Sequence, residues 1–301
     1  MKQLSIGIIG LDTSHVIQFT KMLNDPSHPY HVSGGKVTHA FPGGSPDFEL
    51  SISRVEGFTN QLRDEHGVVI VNTIEEVAEA VDAILLESAD GRVHLEQFRL
   101  IAGYGKPVFI DKPLTVNSAE AAELITIAKA NAVPIMSSSA LRFAEGVQLA
   151  LSTAEKGEII AADCYGPTDY QPTQPGLFWY GIHTIEMLYA LLGPGCERLT
   201  AESNEYYDLI TAVWKDGRIG TVRGNRKGNY EFGGTLHREK GSSHINVGAH
   251  EKPFYASLME SVISFFHTGE AEAPIEQTLE IITFIEAANE SCATGKTIVL
   301  S

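Results

Sequence analysis

Apolar and polar positions follow two alternating periods along the first part of the chain. Runs of strand length, Leu4 to Gly10, Val37 to Phe41, Val68 to Val71, Ala83 to Glu87 and Val108 to Asp111, are separated by stretches of helical character, about Ser14 to Leu23 and about Val93 to Gly103 among them. Thr73 stands three residues before Glu76, the start of a capping box for a further helix. Strands that alternate with helices in this way imply a parallel, doubly wound sheet whose ligand crevice lies beyond the carboxyl ends of the strands. Ser118 caps an Ala- and Glu-rich helix running to about Ala130, and Val133 to Met136 reads as one more strand.

The pattern then changes. A helix near Glu145 to Glu155 is followed by an alternating stretch, Glu158 to Tyr165, and by a helix from about Trp179 to Leu192. Strand-like runs come next, Leu209 to Lys215 and Ile219 to Gly224 among them, with Asp216-Gly217 between them as a tight hairpin signal. A terminal helix, about Ile275 to Thr294, ends at Gly295. Strands that cluster after helices predict an α+β domain on a large, mostly antiparallel open sheet. The expected division is a Rossmann domain over 1–118 and a C-terminal domain over 119–301, and a chain of 301 residues is long enough for two cores.

Composition narrows the function classes. With 43% hydrophobic and 20% charged residues the chain lies in the ordinary globular range, and no apolar run approaches the roughly 18 residues of a membrane span. The opening residues, Met1 to Gly10, read as the first strand and not as a signal peptide. A net charge of −16 opposes binding to phosphate backbones or anionic lipid, so neither nucleic acid nor membrane is an expected partner. Cys164, Cys196 and Cys292 lie far apart and are odd in number, a poor disulfide framework, which makes a reducing cytoplasm the expected location.

The segment after the first strand carries the first candidate chemistry. A dinucleotide-binding turn reads G-x-G-x-x-G, because glycines let the backbone turn tightly and approach the pyrophosphate at a helix N-terminus. The aligned residues here are Gly10, Leu11, Asp12, Thr13, Ser14 and His15, and only the first glycine survives. Asp12 occupies the point of closest approach, where its side chain is expected to crowd the pyrophosphate and its charge to repel it. Asp12, Thr13 or Ser14 caps the helix, either as its whole role or while also touching a ligand. The acid that ordinarily binds the ribose about 20 residues on is missing as well. Phe41 is followed by Pro42-Gly43-Gly44-Ser45-Pro46, read as part of a rebuilt loop reaching Val55, with no carboxylate before Asp47.

The stretch Gly105-Lys106-Pro107-Val108-Phe109-Ile110-Asp111-Lys112-Pro113-Leu114 resembles the Glu-Lys-Pro motif of the Gfo/Idh/MocA oxidoreductases, with Asp111 in place of Glu. Asp82 to Leu86 followed by His94 is similar to the family's fourth strand and next helix, with Ser88-Ala89 where Thr-Pro is usual. Gly181-Ile182-His183 with Leu191-Leu192-Gly193 resembles the helix of the family's active-site histidine, and Glu286 to Lys296 its terminal helix. The triplet Glu251-Lys252-Pro253 repeats the motif letters in a loop-like stretch and is set aside as coincidence.

The resemblance implies hydride transfer between NAD or NADP and a sugar, polyol or related small molecule. Lys112 and His183 are then the catalytic pair. Gly10, Leu11, Asp12, Thr13, Ser14, His15, Ser88, His94, Asp111 and Lys112 face the cofactor, and Trp179, Tyr180 and His183 the substrate. A histidine suits removal of a hydroxyl proton near neutrality, and a lysine suits orientation of the hydroxyl or the resulting carbonyl. The plainer readings are a strand-end Lys112 paired with Asp111, and a core histidine at 183. Family dehydrogenases commonly carry Asp four residues before this histidine; here stands Trp179, which either stacks on a sugar face or packs in the core. His183 and Glu186 have metal-ligand spacing without a third ligand nearby, so no metal is expected. The resemblance also implies a homodimer or homotetramer joined through the C-terminal sheet. The alternative is a non-redox acid-base enzyme, or a sugar-acid binding protein, on a scaffold that has lost the dinucleotide.

Overall fold

The structure, a computed structural model, describes residues 2–300, so Met1 and Ser301, the outer limits of the expected domains, lie outside the described residues. The chain divides into two units, one of residues 2–138 with 255–278 and one of residues 139–254 with 279–300. Among the described residues no helix is long and apolar enough to cross a membrane.

The first unit realises the alternating pattern. Its elements are β1 (Leu4–Ile9), α1 (His15–Asn24), β2 (Gly35–Phe41), α2 (Glu49–His66), β3 (Val69–Ile70), α3 (Ile74–Ala80), β4 (Ala83–Leu86), α4 (His94–Ile101), β5 (Val108–Ile110), α5 (Ser118–Ala130) and β6 (Ile135–Met136). The six strands run parallel in the order β3-β2-β1-β4-β5-β6, the doubly wound Rossmann arrangement, with its reversal between β1 and β4. Strands covered on both sides should be apolar throughout, and all four residues of β4 and all three of β5 are buried. Because β6 pairs with β5, the unit continues past the expected limit at 118.

Several local expectations are corrected. Residues Pro42 to Val55 are not one loop, since α2 begins at Glu49. Asn117, not Ser118, caps α5, its side chain accepting the Glu120 N–H at 2.8 Å. The Thr73 cap holds, with Thr73 Oγ1 accepting the Glu76 N–H at 3.2 Å while the Glu76 carboxylate reaches back to the Asn72 N–H at 2.7 Å.

The second unit contains α6 (Glu145–Leu151), β7 (Ile159–Pro167), α7 (Gly181–Leu192), β8 (Cys196–Ser203), β9 (Tyr207–Trp214), β10 (Ile219–Asn225), β11 (Gly233–Arg238) and β12 (Gly241–Asn246). Next come α8 (Phe254–Thr268), whose residues from Tyr255 onward belong to the first unit, then α9 (Ile275–Thr294) and β13 (Ile298–Val299). The sheet order is β12-β11-β7-β10-β9-β8-β13, antiparallel except for the β7–β10 pair, which is the mixed open sheet the pattern predicts. Alternation places Ala162 and Cys164 of β7, Ile210 and Ala212 of β9 and Val222 of β10 in the core. Helix α7 lies close on this face because Gly166 lacks a side chain; a Cβ there would meet Thr184 Oγ1 at 2.4 Å. The hairpin at Asp216-Gly217 is present, Gly217 taking φ +90°. Two helix limits are shorter than expected: α6 ends at Leu151, and α7 starts at Gly181, which leaves Trp179 and Tyr180 outside it.

Candidate active site

In the first unit the candidate residues gather where β1, β4 and β5 end. Gly10 takes φ +90°, and an added Cβ would lie 2.5 Å from the Ser88 backbone nitrogen, so only glycine lets the ends of β1 and β4 approach this closely. Leu11 is buried and donates its N–H to Pro42 O at 2.7 Å. Asp12 does not crowd the loop as its sequence position suggests. Its carboxyl is turned into the protein and fully buried, accepting the Ser51 hydroxyl at 2.5 Å and the Ala89 N–H at 2.9 Å. Burial raises its pKa above the usual carboxylate range against the opposing pull of these hydrogen bonds.

Thr13 is buried and offers its Oγ1 to the His15 N–H at 3.4 Å. Ser14 precedes α1 without a side-chain capping bond, and no acid lies in the first turn of α1. Asp12 and Ser14 therefore do not cap the helix through their side chains. The N–H groups of Gly10 and Leu11 are taken by Phe41 O and Pro42 O at 3.0 and 2.7 Å, so the part of this turn that suits an anion is the main chain from Asp12 to Ser14 at the start of α1. The ribose end lacks its usual partner: Asp47, the first carboxylate after β2, is held by Arg92 at 2.8 Å, and Arg92 also binds the buried Asp90.

His15 and Asp111 meet directly through their side chains. His15 Nδ1 lies 3.0 Å from Asp111 Oδ2, and His15 Nε2 lies 3.0 Å from the hydroxyl of Tyr255. Asp111 Oδ1 accepts the backbone N–H of Lys112 at 2.8 Å. Burial alone would raise the Asp111 carboxyl, but the His15 ring and the Lys112 cation outweigh it and hold the group at about 2. Glu87, read in the sequence only as the end of a strand, belongs to the same cluster, with Oε2 3.8 Å from His15 Nδ1. It is fully buried, and desolvation followed by repulsion from Asp111 drives its pKa well above the usual range. A carboxylate directly after four apolar strand residues was the available signal. Ser88 donates its hydroxyl to Gln97 at 2.9 Å. The His94 ring is buried between main-chain carbonyls, Pro113 O at 2.9 Å and Ser88 O at 2.7 Å, and so ties the ends of β4 and β5 together. Lys112 is half-buried and precedes a cis peptide bond to Pro113.

In the second unit, His183 sits in the first turn of α7 with its Nδ1 2.7 Å from Ser139 Oγ. The rings of Tyr180 and Phe232 stand edge-on to it at 5.2 and 5.9 Å and stack on each other at 6.2 Å. Tyr180, the residue just before α7, therefore neighbours His183. Desolvation raises the Tyr180 pKa, and the Asp169 charge adds to it. Trp179 is half-buried just before α7. Glu186 is buried and bound to Arg142 at 2.7 Å, so it is engaged in an ion pair instead of joining His183 as a metal ligand.

Residues 37–139 match the model of the oxidoreductase family with an NAD-binding Rossmann fold. No curated protein matches the chain. Among solved structures, the scyllo-inositol dehydrogenase of Lactobacillus casei with bound NAD(H) and scyllo-inositol superposes with a TM-score of 0.81 at 15% identity, over 99% of each chain. The myo-inositol 2-dehydrogenase of Lactobacillus plantarum gives 0.80 at 16% identity, over 100% of each chain. At these identities the likeness shows a shared fold.

Proposed function

Since the chain resembles the Gfo/Idh/MocA oxidoreductases, in sequence over residues 37–139 and in fold over its whole length, we propose that it is an NAD(P)-dependent dehydrogenase of a sugar, polyol or related small hydroxylated substrate. The observation that carries this reading is the position of Lys112, two residues past the end of β5 in a sheet whose first strand leads through Gly10 into α1. The backbone of Asp12 to Ser14 would hold the pyrophosphate, and Ser88, His94 and Asp111 shape the strand ends around it. A bound nicotinamide would supply the acceptor for the hydride that leaves the substrate carbon. Lys112 orients the substrate hydroxyl and steadies the carbonyl oxygen. His183 removes the hydroxyl proton, its ring held by the Ser139 hydroxyl, while Trp179 and Tyr180 flank the sugar ring.

The test is turnover of a panel of inositols, sugars and sugar acids with NAD+ and NADP+. Lys112→Ala and His183→Ala are each expected to lower kcat/KM by about 10²- to 10⁴-fold, as loss of a general acid-base or orienting group does. Turnover indifferent to both variants contradicts the assignment. A second reading, non-redox acid-base chemistry on the same scaffold, is favoured by the missing ribose acid and the Asp47–Arg92 pair. Recovery of a nicotinamide cofactor from the native protein would eliminate it.

The outer face of the second unit's sheet exposes Tyr165, Tyr207, Leu209 and Ile219, which supports a homodimer or homotetramer formed through that face. Light scattering tests this, and a monomeric mass contradicts it. Three free cysteines and the acidic charge support a cytoplasmic location.

A further inference from the structure

We propose that His15, Glu87 and Asp111 form a binding site for one divalent metal ion of the zinc or manganese class. The three residues follow three adjacent strands of the parallel sheet. His15 opens α1 after β1, Glu87 directly follows β4, and Asp111 directly follows β5. Their ligand atoms all lie within 4.8 Å of one another. His15 Nδ1 is 3.0 Å from Asp111 Oδ2 and 3.8 Å from Glu87 Oε2. A tetrahedral zinc ion with bonds of about 2.0–2.2 Å sets its ligand atoms roughly 3.3–3.6 Å apart, a range these two separations bracket.

Glu87 supplies the second, independent observation. Its side chain is fully buried, its Oε2 points at His15, and neither of its oxygens has a hydrogen-bond partner. A buried carboxyl without donors among the described residues is costly, and a hydrogen bond from His15 accounts for Asp111 at 3.0 Å but not for Glu87 at 3.8 Å. The nearby Lys112 cation eases the charge on both carboxylates without donating to Glu87. A divalent ion would neutralise the two carboxylates and coordinate the orphaned oxygen.

The surroundings prepare the ligands. With a metal bound in place of the Nδ1 proton, Nε2–H would donate to the Tyr255 hydroxyl 3.0 Å away and leave the Nδ1 lone pair facing the ion. The Lys112 N–H fixes Asp111 through Oδ1 and leaves Oδ2 toward the site. One nitrogen and two oxygens suit zinc or manganese, and three protein ligands leave a position for water or an oxygen of a hydroxylated or anionic ligand. Ligand spacing in the sequence marks His183 and Glu186 instead, because these ligands are 72 and 24 residues apart and meet only through the sheet.

The test uses the full chain, stripped with chelator and titrated by calorimetry with Zn2+ and Mn2+ alone. One ion per chain is expected, with affinity reduced at least tenfold in Glu87→Gln and in His15→Gln. Added metal should raise the melting temperature of the wild type and not of the variants. Should Glu87→Gln fail to fold, His15→Gln decides, because His15 is partly exposed. Absence of binding at millimolar ion, or binding undiminished in the folded variants, overturns the proposal. Neither result depends on whether a dinucleotide binds.

Discussion

Replacing Asp12 by Gly restores the ordinary glycine of a dinucleotide turn, and the structure predicts that it weakens the protein instead of repairing the loop. Asp12 accepts hydrogen bonds from the buried Ser51 hydroxyl and the buried Ala89 N–H, and Ser51 in turn accepts the Ser45 N–H at 2.8 Å. Removing the carboxyl leaves two buried donors unmatched, at about 1–3 kcal/mol each. The added backbone freedom of glycine costs up to about 1 kcal/mol more. Relief of the desolvated carboxyl, whose raised pKa shows that burial opposes its charge, offsets part of this. The net loss is about 2–5 kcal/mol, a melting temperature lower by roughly 5–15 °C. Asp12→Asn keeps one acceptor and should lose about half as much, since only one donor is left unmatched. Calorimetric melting of the three proteins, with NADH titration of each, is the assay. An Asp12→Gly variant that melts at or above the wild-type temperature and binds NADH more tightly would show the carboxylate to be an obstacle and not a strut.

Other outcomes follow from local chemistry. Asp208 of β9 is buried and accepts from Thr168, Tyr170, Ser203 and the Arg226 guanidinium, so Asp208→Ala should cost about 3–5 kcal/mol in urea unfolding, as removal of one partner of a buried ion pair does. A loss near zero would show that the network is not cooperative. Burial pushes the Cys196 thiol up to about 12 and raises Cys164 further, so neither should react with a disulfide reagent at neutral pH until the protein is denatured. Rapid native labelling of either residue contradicts this. The Ser5 backbone N–H, with the Ser5 hydroxyl and Lys2, holds the Asp82 carboxyl below its usual range. A depressed folded pKa contributes stability above the unfolded value and loses it as pH falls through the folded one. Asp82→Asn should therefore be less stable than wild type at neutral pH, with the gap closing below about pH 4; a gap independent of pH contradicts it.

What the sequence made legible was whatever rests on local periodicity. The apolar runs of β1, β4 and β5 and the helices between them are readable because burial on both faces demands such runs. Helix α2 was not, since only Ser51 and Leu62 of its 18 residues are buried and no apolar stripe marks it. Helix α8 is hidden in the sequence behind the loop-like Glu251-Lys252-Pro253, although eight of its residues are buried. The candidate site was readable as a set of residue types at strand ends, but not as a set of partners. The direction of the Asp12 side chain depends on Ser51 and Ala89, which lie 39 and 77 residues away. Ser139 reaches His183 across 44 residues. Glu87 looked like the end of a strand because its importance lies in an empty donor environment that only the packed sheet creates.

Titration of the purified protein with NADH and NADPH, followed by the fluorescence of the reduced nicotinamide, decides the claim that the loop after β1 receives a dinucleotide for hydride transfer. Saturable binding that weakens in Lys112→Ala is the predicted result. No binding of either nucleotide at millimolar concentration would contradict the claim and direct attention to non-redox chemistry at His183.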